Sequence, residues 1–264
     1  MPSQIRASTA RRFGIALLLL AAVSAVRADE AAPNGRIDIE ASYSDLTHGL
    51  EPWREGALRG SYALDEIWTV GGAVEAASRF DSFDAYFEGR ADGRISDAAS
   101  FYVLVGGTPE ADFRPRVAAG TGGAVRLLQG DGIVAAAVAT LDLRYADYAA
   151  GNVETVNPGL EVYLFRGRAS LTARHINIWD ETNAHRTGYF LRADAQADDT
   201  VTFFAGYADS PDTSGGITVD TTSWFGGVAV DIAPDTTVRL ALAQEMHESG
   251  YDRTTFTLSA TLKR

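Results

Sequence analysis

The stretch FDAYFEGRADGRI, residues 83–95, decides the fold of this chain. Small and apolar residues alternate strictly along it with polar and charged ones. One face carries Ala85, Phe87, Gly89, Ala91, Gly93 and Ile95, and the other carries Asp84, Tyr86, Glu88, Arg90, Asp92 and Arg94. A helix would scatter these charges around its circumference, whereas a strand places them in one row. The stretch therefore predicts a β-strand with one apolar face and one charged face.

The same alternation continues through most of the chain after residue 35. It is clearest in residues 37–44, 189–196, 224–231, 238–243 and 255–262. A period of two that returns this often indicates an all-β protein. The apolar faces consist mainly of Ala, Gly, Val and Leu, which are too small to fill the core of a soluble β-sandwich or lipocalin-like barrel. The charged faces suit a wet lumen, so we expect a transmembrane β-barrel.

Short and longer connections alternate along the chain. Tight polar turns are predicted at residues 65–66, 96–97, 129–132, 166–168, 198–199 and 234–235, with a spacing of about 30 to 37 residues. More variable connections are predicted at residues 47–52, 80–82, 109–113, 148–154, 180–186, 208–220 and 247–252. Strict alternation of this kind is typical of an up-and-down antiparallel barrel with short periplasmic turns and longer outer loops.

Counting the segments between connections gives 14 strands. They are predicted to begin near residues 36, 53, 67, 83, 98, 114, 133, 155, 169, 187, 200, 221, 236 and 253. The weakest segments are 155–165, which contains Pro158, and 169–179, where alternation is poor. Losing that pair would leave 12 strands. Either count is even, so both termini are expected on the periplasmic side.

The first 28 residues have the pattern of a cleaved secretory signal. Arg6, Arg11 and Arg12 precede an apolar run of eleven residues, 13–23, and small residues at Val26 and Ala28 prepare cleavage after Ala28. A retained signal anchor is the alternative, but the run is short for a membrane span. We therefore expect a signal peptide at 1–28, a barrel domain at 29–264, and a place in the outer membrane of a Gram-negative-type bacterium.

Composition narrows the classes of partner. The chain has 23 basic and 35 acidic residues and a formal net charge of −12, so its surface repels nucleic acid. It has no cysteine, so in an oxidising compartment the fold must be stable without disulfides. Neither the motifs nor their spacing predict a cofactor or a metal site. The expected partners are outer-membrane lipid and the outer-membrane assembly machinery, and the barrel is expected to be a monomer.

Charged residues on the inward faces are the candidate site. We predict that the lumen is lined by Glu88, Arg90, Asp92, Arg94, Asp142, Arg144, Arg174, Arg192, Asp194 and Arg239. Such a lining could select solutes that pass through a pore. It could equally consist of ion pairs that brace the barrel, because the signs are mixed at close spacing. The chain has no spare domain to act as a plug, and only residues 208–220 are long enough to fold inward, so a narrow and unplugged lumen is expected.

Two further features have a structural and a functional interpretation. Aromatic residues near strand ends predict girdles at head-group level, and they are Trp53, Tyr148, Trp179 and Tyr207 at the outer ends and Tyr62, Trp68 and Phe101 at the inner ends. Three of the four histidines, His48, His185 and His247, fall in predicted outer loops beside acids. A histidine–carboxylate pair there could activate water, but no catalytic spacing stands out, so an enzyme is not expected.

Several short motifs resemble the YaiO family of outer-membrane barrels. They are Tyr43-Ser44-Asp45-Leu46 followed by Trp53, Ala77-Ser78-Arg79-Phe80 followed by Asp84, Gly106-Gly107-Thr108-Pro109, Phe113-Arg114-Pro115, and Leu143-Arg144-Tyr145. The resemblance covers residues 35–264 and depends on the order of the motifs. It implies an outer-membrane barrel, in some members encoded near envelope-polysaccharide enzymes, and it implies no established activity. The chain departs from most such barrels in ending Leu262-Lys263-Arg264, without the usual terminal aromatic residue.

Three functions stay open at this point. The first is a small unplugged pore for a small solute or for envelope polysaccharide. The second is a structural or adaptor barrel that transports nothing. The third is a hydrolase with its active site at the outer rim.

Overall fold

A computed structural model describes residues 34–248 and 250–264. The predicted signal peptide, residues 1–28, lies outside the described residues, as do the first residues of the predicted barrel domain. No helix among the described residues is long and apolar enough to cross a membrane.

Fourteen β-strands make up almost all of the described chain. They are β1 (Gly35–Leu46), β2 (Trp53–Ala63), β3 (Trp68–Arg79), β4 (Ser82–Ser96), β5 (Ala99–Gly107), β6 (Val117–Gln129), β7 (Val134–Asp147), β8 (Asn152–Leu164), β9 (Ala169–Trp179), β10 (His185–Gln196), β11 (Val201–Ser214), β12 (Ile217–Ala233), β13 (Thr236–His247) and β14 (Arg253–Lys263). Two 3₁₀ turns, Thr47–Gly49 and Phe165–Gly167, lie in connections.

The strands form one closed antiparallel barrel in sequence order. Each pairs with its neighbours in the chain, and β1 pairs with β14 through partners such as Tyr43 and Phe256. Closure removes the unpaired edge that an open sheet would expose. The prediction of a 14-stranded up-and-down barrel is confirmed, and the predicted strand starts lie within four residues of the observed ones.

The weakest predicted pair of strands, β8 and β9, is present, and Pro158 explains its poor signal. The register between these strands is interrupted from Val156 to Pro158, since proline has no amide hydrogen to donate to the ladder. The side chain of Asn177 donates to the carbonyl of Val156 over 2.9 Å, and the backbone amide of Asn177 donates to Oδ1 of Asn157 over 3.3 Å. Amide side chains therefore replace the missing ladder bonds, and the 12-strand alternative is excluded.

The barrel has two unlike ends. We call the end with the connections after β2, β4, β6, β8, β10 and β12 the turn end, and Gly35 and Lys263 also lie there. The opposite end is the loop end. The longest connection there joins β5 to β6 across residues 108–116.

One predicted outer loop, residues 208–220, is instead the tip of a long hairpin. β11 continues to Ser214 and β12 begins at Ile217, so only Gly215 and Gly216 form the turn. Both have positive φ, 57° and 74°, as a two-residue hairpin turn of the favoured type requires. The prediction of a connection over residues 208–220 was wrong because this glycine pair lets the two strands continue to their tip.

The outer surface of the barrel is apolar. Residues such as Leu58, Phe87, Val105, Leu191 and Leu258 are about half exposed, in the middle of their strands. Their neighbours in sequence point inward, and most of these neighbours are polar or small. A soluble protein would bury such a band, whereas lipid tails cover it at no cost.

Of the aromatic residues predicted to form girdles, some face outward and two face the interior. Tyr62 and Trp68 face outward at the turn end, and Trp68 makes an edge contact with Phe101 at 5.7 Å. Trp53 and Tyr148 point into the barrel, which the prediction did not expect. Trp53 has the same parity as the inward-facing Glu55 of β2, so its position near a strand end was a weaker guide than alternation.

An outward charge at mid-strand tests the lipid-facing assignment. Replacing Leu258 with Arg places a guanidinium in the hydrocarbon layer and is expected to destabilise the barrel by about 2–4 kcal/mol. The measurement is urea unfolding from phospholipid bilayers, with Leu258→Ala as the control for lost side-chain volume. Equal stability of the two variants would contradict the assignment.

Candidate functional site in the barrel interior

The interior is divided into two levels. At the loop end, a packed layer of aromatic and charged side chains fills the cross-section, and we call it the barrier. It contains Trp53, Glu55, Glu75, Arg79, Asp84, Tyr86, Phe113, Arg114, Tyr148, Glu245, Tyr251 and Arg253. At the turn end there is a cavity of about 600 Å³, which we call the chamber.

Trp53 lies at the centre of the barrier, and none of its surface is exposed. The guanidinium carbons of Arg79 and Arg253 lie 4.7 and 4.9 Å from the centroid of its ring. Phe80 and Tyr251 meet it edge-on, each at 5.5 Å. Cation–π contacts of this kind strengthen when water is excluded. The indole thus joins β2, β3 and β14 across the interior.

Buried ion pairs neutralise the arginines of the barrier. Arg79 pairs with Glu55, and Arg253 pairs with Glu245, whose side chain is 2% exposed. Arg114 donates to Oε2 of Glu75 over 2.7 Å. Taking these charges out of water is expensive, and the pairs persist only because each charge meets its opposite. The barrier is therefore a set of interdependent pairs.

The connection between β5 and β6 folds inward and is held by Asp84. The carboxylate of Asp84 accepts hydrogen bonds from the backbone amides of Asp112, Phe113 and Arg114 at 3.0, 2.9 and 2.7 Å. These bonds place the ring of Phe113 under the guanidinium of Arg79, 4.6 Å from its carbon. Asp84 thereby fixes a loop segment inside the barrel wall.

The hairpin of β11 and β12 closes the other side of the loop end. A Cβ atom added to Gly216 would lie 2.5 Å from Cβ of Tyr148, so the hairpin tip packs on the connection after β7. The amide of Thr218 donates to Oε2 of Glu181 over 3.1 Å, which ties the same hairpin to the connection after β9. Burial raises the pKa of the Tyr148 hydroxyl, so it stays protonated. Strands that are not neighbours in the barrel are thus connected above the lumen.

The prediction of an unplugged lumen is wrong at the loop end. Among the described residues, the inward-folded connection at 108–116, the hairpin tip and large side chains from the strands fill the passage together. The central side chains Trp53, Arg79, Glu245, Tyr251 and Arg253 are 0–5% exposed. A water-filled opening at this level would leave these side chains exposed to solvent.

Below the barrier, several predicted lumen residues form one network on the wall of β4 to β7. Arg90 pairs with Asp92 at 2.6 Å, and its guanidinium lies over the ring of Tyr102 at 4.0 Å. The hydroxyl of Tyr102 donates to Asp142 over 2.7 Å. Asp142 is also 3.7 Å from Arg174. Four of the ten predicted residues are therefore joined through a tyrosine that the prediction did not include.

A second tyrosine connects this network to the barrier. The hydroxyl of Tyr86 donates to Glu88 over 3.0 Å and accepts from Arg144 over 3.3 Å. Its ring lies against the backbone of β5, where a Cβ atom on Gly106 would come within 2.3 Å of the hydroxyl. Gly106, part of a family-like motif, leaves the space that this ring occupies.

The chamber is lined by the remaining predicted residues, with one exception. Arg174, Arg192, Asp194 and Arg239 line it, whereas Arg94 is exposed elsewhere at the turn end. Among its lining residues, basic side chains outnumber acidic ones. The basic ones are Arg36, Arg166, Arg168, Arg174, Arg192, Arg239 and Lys263, and the acidic ones are Glu161, Asp194, Asp199 and Asp231.

Some of these charges are already paired. Arg192 holds both carboxylate oxygens of Asp194, at 2.6 and 2.9 Å. Arg174 lies 3.8 Å from Glu161. Arg239 differs from them, because it forms no hydrogen bond or ion pair with any side chain in residues 34–248 or 250–264. Pairing supports the bracing interpretation for part of the lining and leaves Arg239 unexplained.

The loop histidines do not form catalytic pairs. His48 bonds the hydroxyl of Thr47 at 3.0 Å, His185 stacks on Trp179, and Nδ1 of His247 lies 2.8 Å from the carbonyl of Tyr251. Within the described ranges, none of them lies within 4.0 Å of a carboxylate oxygen. The same residues contain no cluster of His, Cys, Asp and Glu that could hold a metal ion.

Asp180, an acid in the connection that precedes His185, has a structural role. It is buried at the start of the connection after β9. Burial acts to raise its pKa, but hydrogen bonds from Thr182 and Arg186 outweigh this effect and lower the pKa to about 2. The carboxylate therefore stays ionised and fixes the loop, and it is not available as a general base at neutral pH.

The prediction missed the residues of the barrier. Glu75 and Arg79 have the inward parity of β3, so alternation could have identified them. Asp84 belongs to the charged face of the stretch that decided the fold. Nothing in the sequence shows that the segment at 108–116 folds into the barrel, because its bonds to Asp84 are made by backbone amides, which every residue except proline possesses.

Comparisons with known proteins support this architecture. A family model described as the YaiO membrane beta barrel domain matches residues 34–213. No curated protein matches the chain.

Solved structures with a similar fold are outer-membrane channels and related barrels. The toluene transporter TbuX of Ralstonia pickettii superimposes with a TM-score of 0.62 at 9% identity, over 88% of this chain and 90% of that one. Omp33 of Acinetobacter baumannii gives 0.59 at 10% identity, over 88% and 99%. The CymD monoaromatic hydrocarbon channel gives 0.58 at 11% identity, over 89% of each chain. Identities this low show a shared fold only.

Breaking a buried pair of the barrier tests its contribution to stability. Replacing Glu245 with Ala removes the carboxylate that pairs directly with the buried Arg253, and the expected loss is about 3–5 kcal/mol. The matched control is Asp92→Ala, which breaks the Arg90–Asp92 pair, where the side chains are 40% and 38% exposed, and should cost under about 1 kcal/mol. Urea unfolding measures both, and similar losses would contradict a barrier held by buried charge pairs.

Proposed function

Because this chain belongs to the YaiO family of outer-membrane β-barrel proteins, we propose that it is a closed-state channel whose chamber receives a small polar solute from the periplasm. The barrier separates the chamber from the cell exterior at rest. Passage requires the barrier to rearrange. The solute then moves along the charged wall of β4 to β7.

The observation that carries this proposal is the chamber itself. A barrel that served only as a scaffold could be filled with side chains along its whole length, as small barrels are. Here a cavity of about 600 Å³, lined by many charged groups, lies between the barrier and the turn end. Charged linings of this kind select solutes by sign and size.

The names of two similar solved structures agree with a transport role. TbuX is named a toluene transporter and CymD a monoaromatic hydrocarbon channel. The lining of this chamber is far more polar than a hydrocarbon would favour, because buried charges must be satisfied by polar partners. We therefore propose that this barrel, like those two, transports a solute, and that its solute is water-soluble. Envelope saccharides are among the candidates.

A structural or adaptor barrel is the second candidate. The observation that favours it is the continuity of the barrier, in which buried ion pairs, a sandwiched indole and an anchored loop all oppose opening. In that case the chamber would be a remnant of barrel geometry. The loop histidines give no comparable support to a hydrolase at the rim, and we propose no catalytic role for them.

The orientation of the barrel is part of the proposal. We place the turn end and both chain termini in the periplasm, since short turns are typical of that side. Lipid surrounds the apolar band, and a monomer inserted by the assembly machinery suffices for this arrangement.

Cysteine labelling tests the orientation. The chain has no cysteine, so single substitutions introduce the only thiol. Glu110→Cys in the connection after β5 is expected to react with a membrane-impermeant maleimide on intact cells. Glu66→Cys in the turn after β2 should react only after the outer membrane is permeabilised. The reverse pattern would place the chamber at the cell exterior.

Opening the barrier tests the channel. Replacing Trp53 with Ala removes the central ring and should raise planar-bilayer conductance and the rate of liposome swelling severalfold above wild type. Trp68→Ala removes an indole that faces lipid and should leave both unchanged.

Folding is verified before conductance is compared. The loss of Trp53 costs about 3–5 kcal/mol, so each variant is first examined by heat-modified gel mobility. A second variant, Trp53→Ala with Phe113→Ala, removes two rings of the barrier. If both folded variants stay closed, the adaptor barrel is the better conclusion.

A further inference from the structure

We infer that the chamber is a binding site for small organic anions, carboxylates or phosphate esters, and that Arg239 is the residue that holds the anionic group. This inference names the solute class and so rests on the proposed function. It depends on three observations: the sign of the lining, an arginine with no ion pair among the described residues, and an aromatic surface in the same chamber.

The sign of the chamber is opposite to that of the chain. Acids outnumber bases by 35 to 23 in the sequence, yet seven basic and four acidic side chains line the chamber. Low-dielectric walls around a concave surface focus such a potential and raise the local concentration of counter-ions. The excess of positive charge therefore attracts anions from the turn end.

Arg239 supplies a specific contact within this field. Its cross-strand neighbours are Ala229 on β12 and Ser259 on β14, so small side chains flank it. It is half-buried and faces the same cavity as Arg36 and Arg192. Both of those arginines hold an aspartate, Asp38 and Asp194 respectively. The charges of Asp38 and Asp194 reach Arg239 as well, but each of these aspartates is already held by its own arginine. A half-buried guanidinium with no carboxylate paired to it among the described residues is stabilised by a bidentate anion.

The aromatic surface suits the carbon framework of the ligand. Phe190 and Phe204 line the chamber, and Phe190 stacks on Phe225 with ring centroids 5.8 Å apart. The guanidinium of Arg192 lies 4.9 Å from the centroid of Phe204, so charge and ring are side by side. An organic anion can therefore place its charge on Arg239 and an apolar face of its ring on Phe190. An inorganic ion would use only the first contact.

Isothermal titration calorimetry on the refolded barrel in detergent tests this site. The probes are galacturonate and glucose 6-phosphate, which separate carboxylate from phosphate recognition, with galactose and glucose as neutral counterparts. At least one anion is expected to bind more tightly than its neutral counterpart, and added NaCl should weaken that binding.

Two arginine variants distinguish a site from a general attraction. Arg239→Gln should weaken binding of the anion by about tenfold or more, since it removes a charge-assisted contact. Arg94→Gln removes an equal charge at the same end of the barrel but outside the chamber, and should change affinity by less than about twofold at moderate salt. Equal effects of the two variants, or equal binding of acid and neutral sugar, would overturn the assignment.

The result is separable from that of the channel experiment. If anion binding depends on Arg239 but the Trp53→Ala variant stays closed, the results contradict the transport route and support the anion site. If that variant conducts but the barrel binds no anion, the results support the transport route and contradict the anion site.

Discussion

The hydrocarbon layer offers no partner to a backbone amide, and this constraint governs the whole molecule. Every strand must find its hydrogen bonds in the two beside it, so the sheet has to close on itself, as β1 and β14 do. Even the interruption at Pro158 is repaired locally by the amide side chains of Asn157 and Asn177. Closure then fixes which residues face lipid and which face the interior, because successive side chains alternate.

Because polar side chains are unfavourable on the lipid-facing side, alternation places them in the interior. The charged groups there must then be neutralised by one another. The molecule solves this differently at the two levels. In the barrier, arginines pair with glutamates and stack on Trp53, and the central side chains are buried. In the chamber there is open space, and Arg239 has no ion pair with a carboxylate among the described residues. Packing therefore converts one repetitive pattern into a closed level and an open one.

The sequence was sufficient for the barrel and insufficient for the barrier. Strand number, order and most boundaries follow from a period-two pattern and turn residues, which are local properties. Nine of the ten predicted lumen residues belong to the network on the wall or line the chamber, and Arg94 belongs to neither. The closed level depends on long-range contacts, such as Asp84 with the amides of residues 112–114. Backbone donors have no residue-specific signature, so periodicity could not reveal that contact.

The short motifs that suggested a family have a physical meaning in this light. Several motif residues that are far apart in the sequence lie in the barrier or pack against it. They are Trp53, Arg79, Phe80, Asp84, Phe113 and Arg114. A lipid-facing position needs only an apolar side chain, and many residues satisfy it. A buried charge needs a particular partner at a particular place, so it restricts the sequence far more strongly. Several residues of the family-like motifs therefore lie at the level where the barrel is closed.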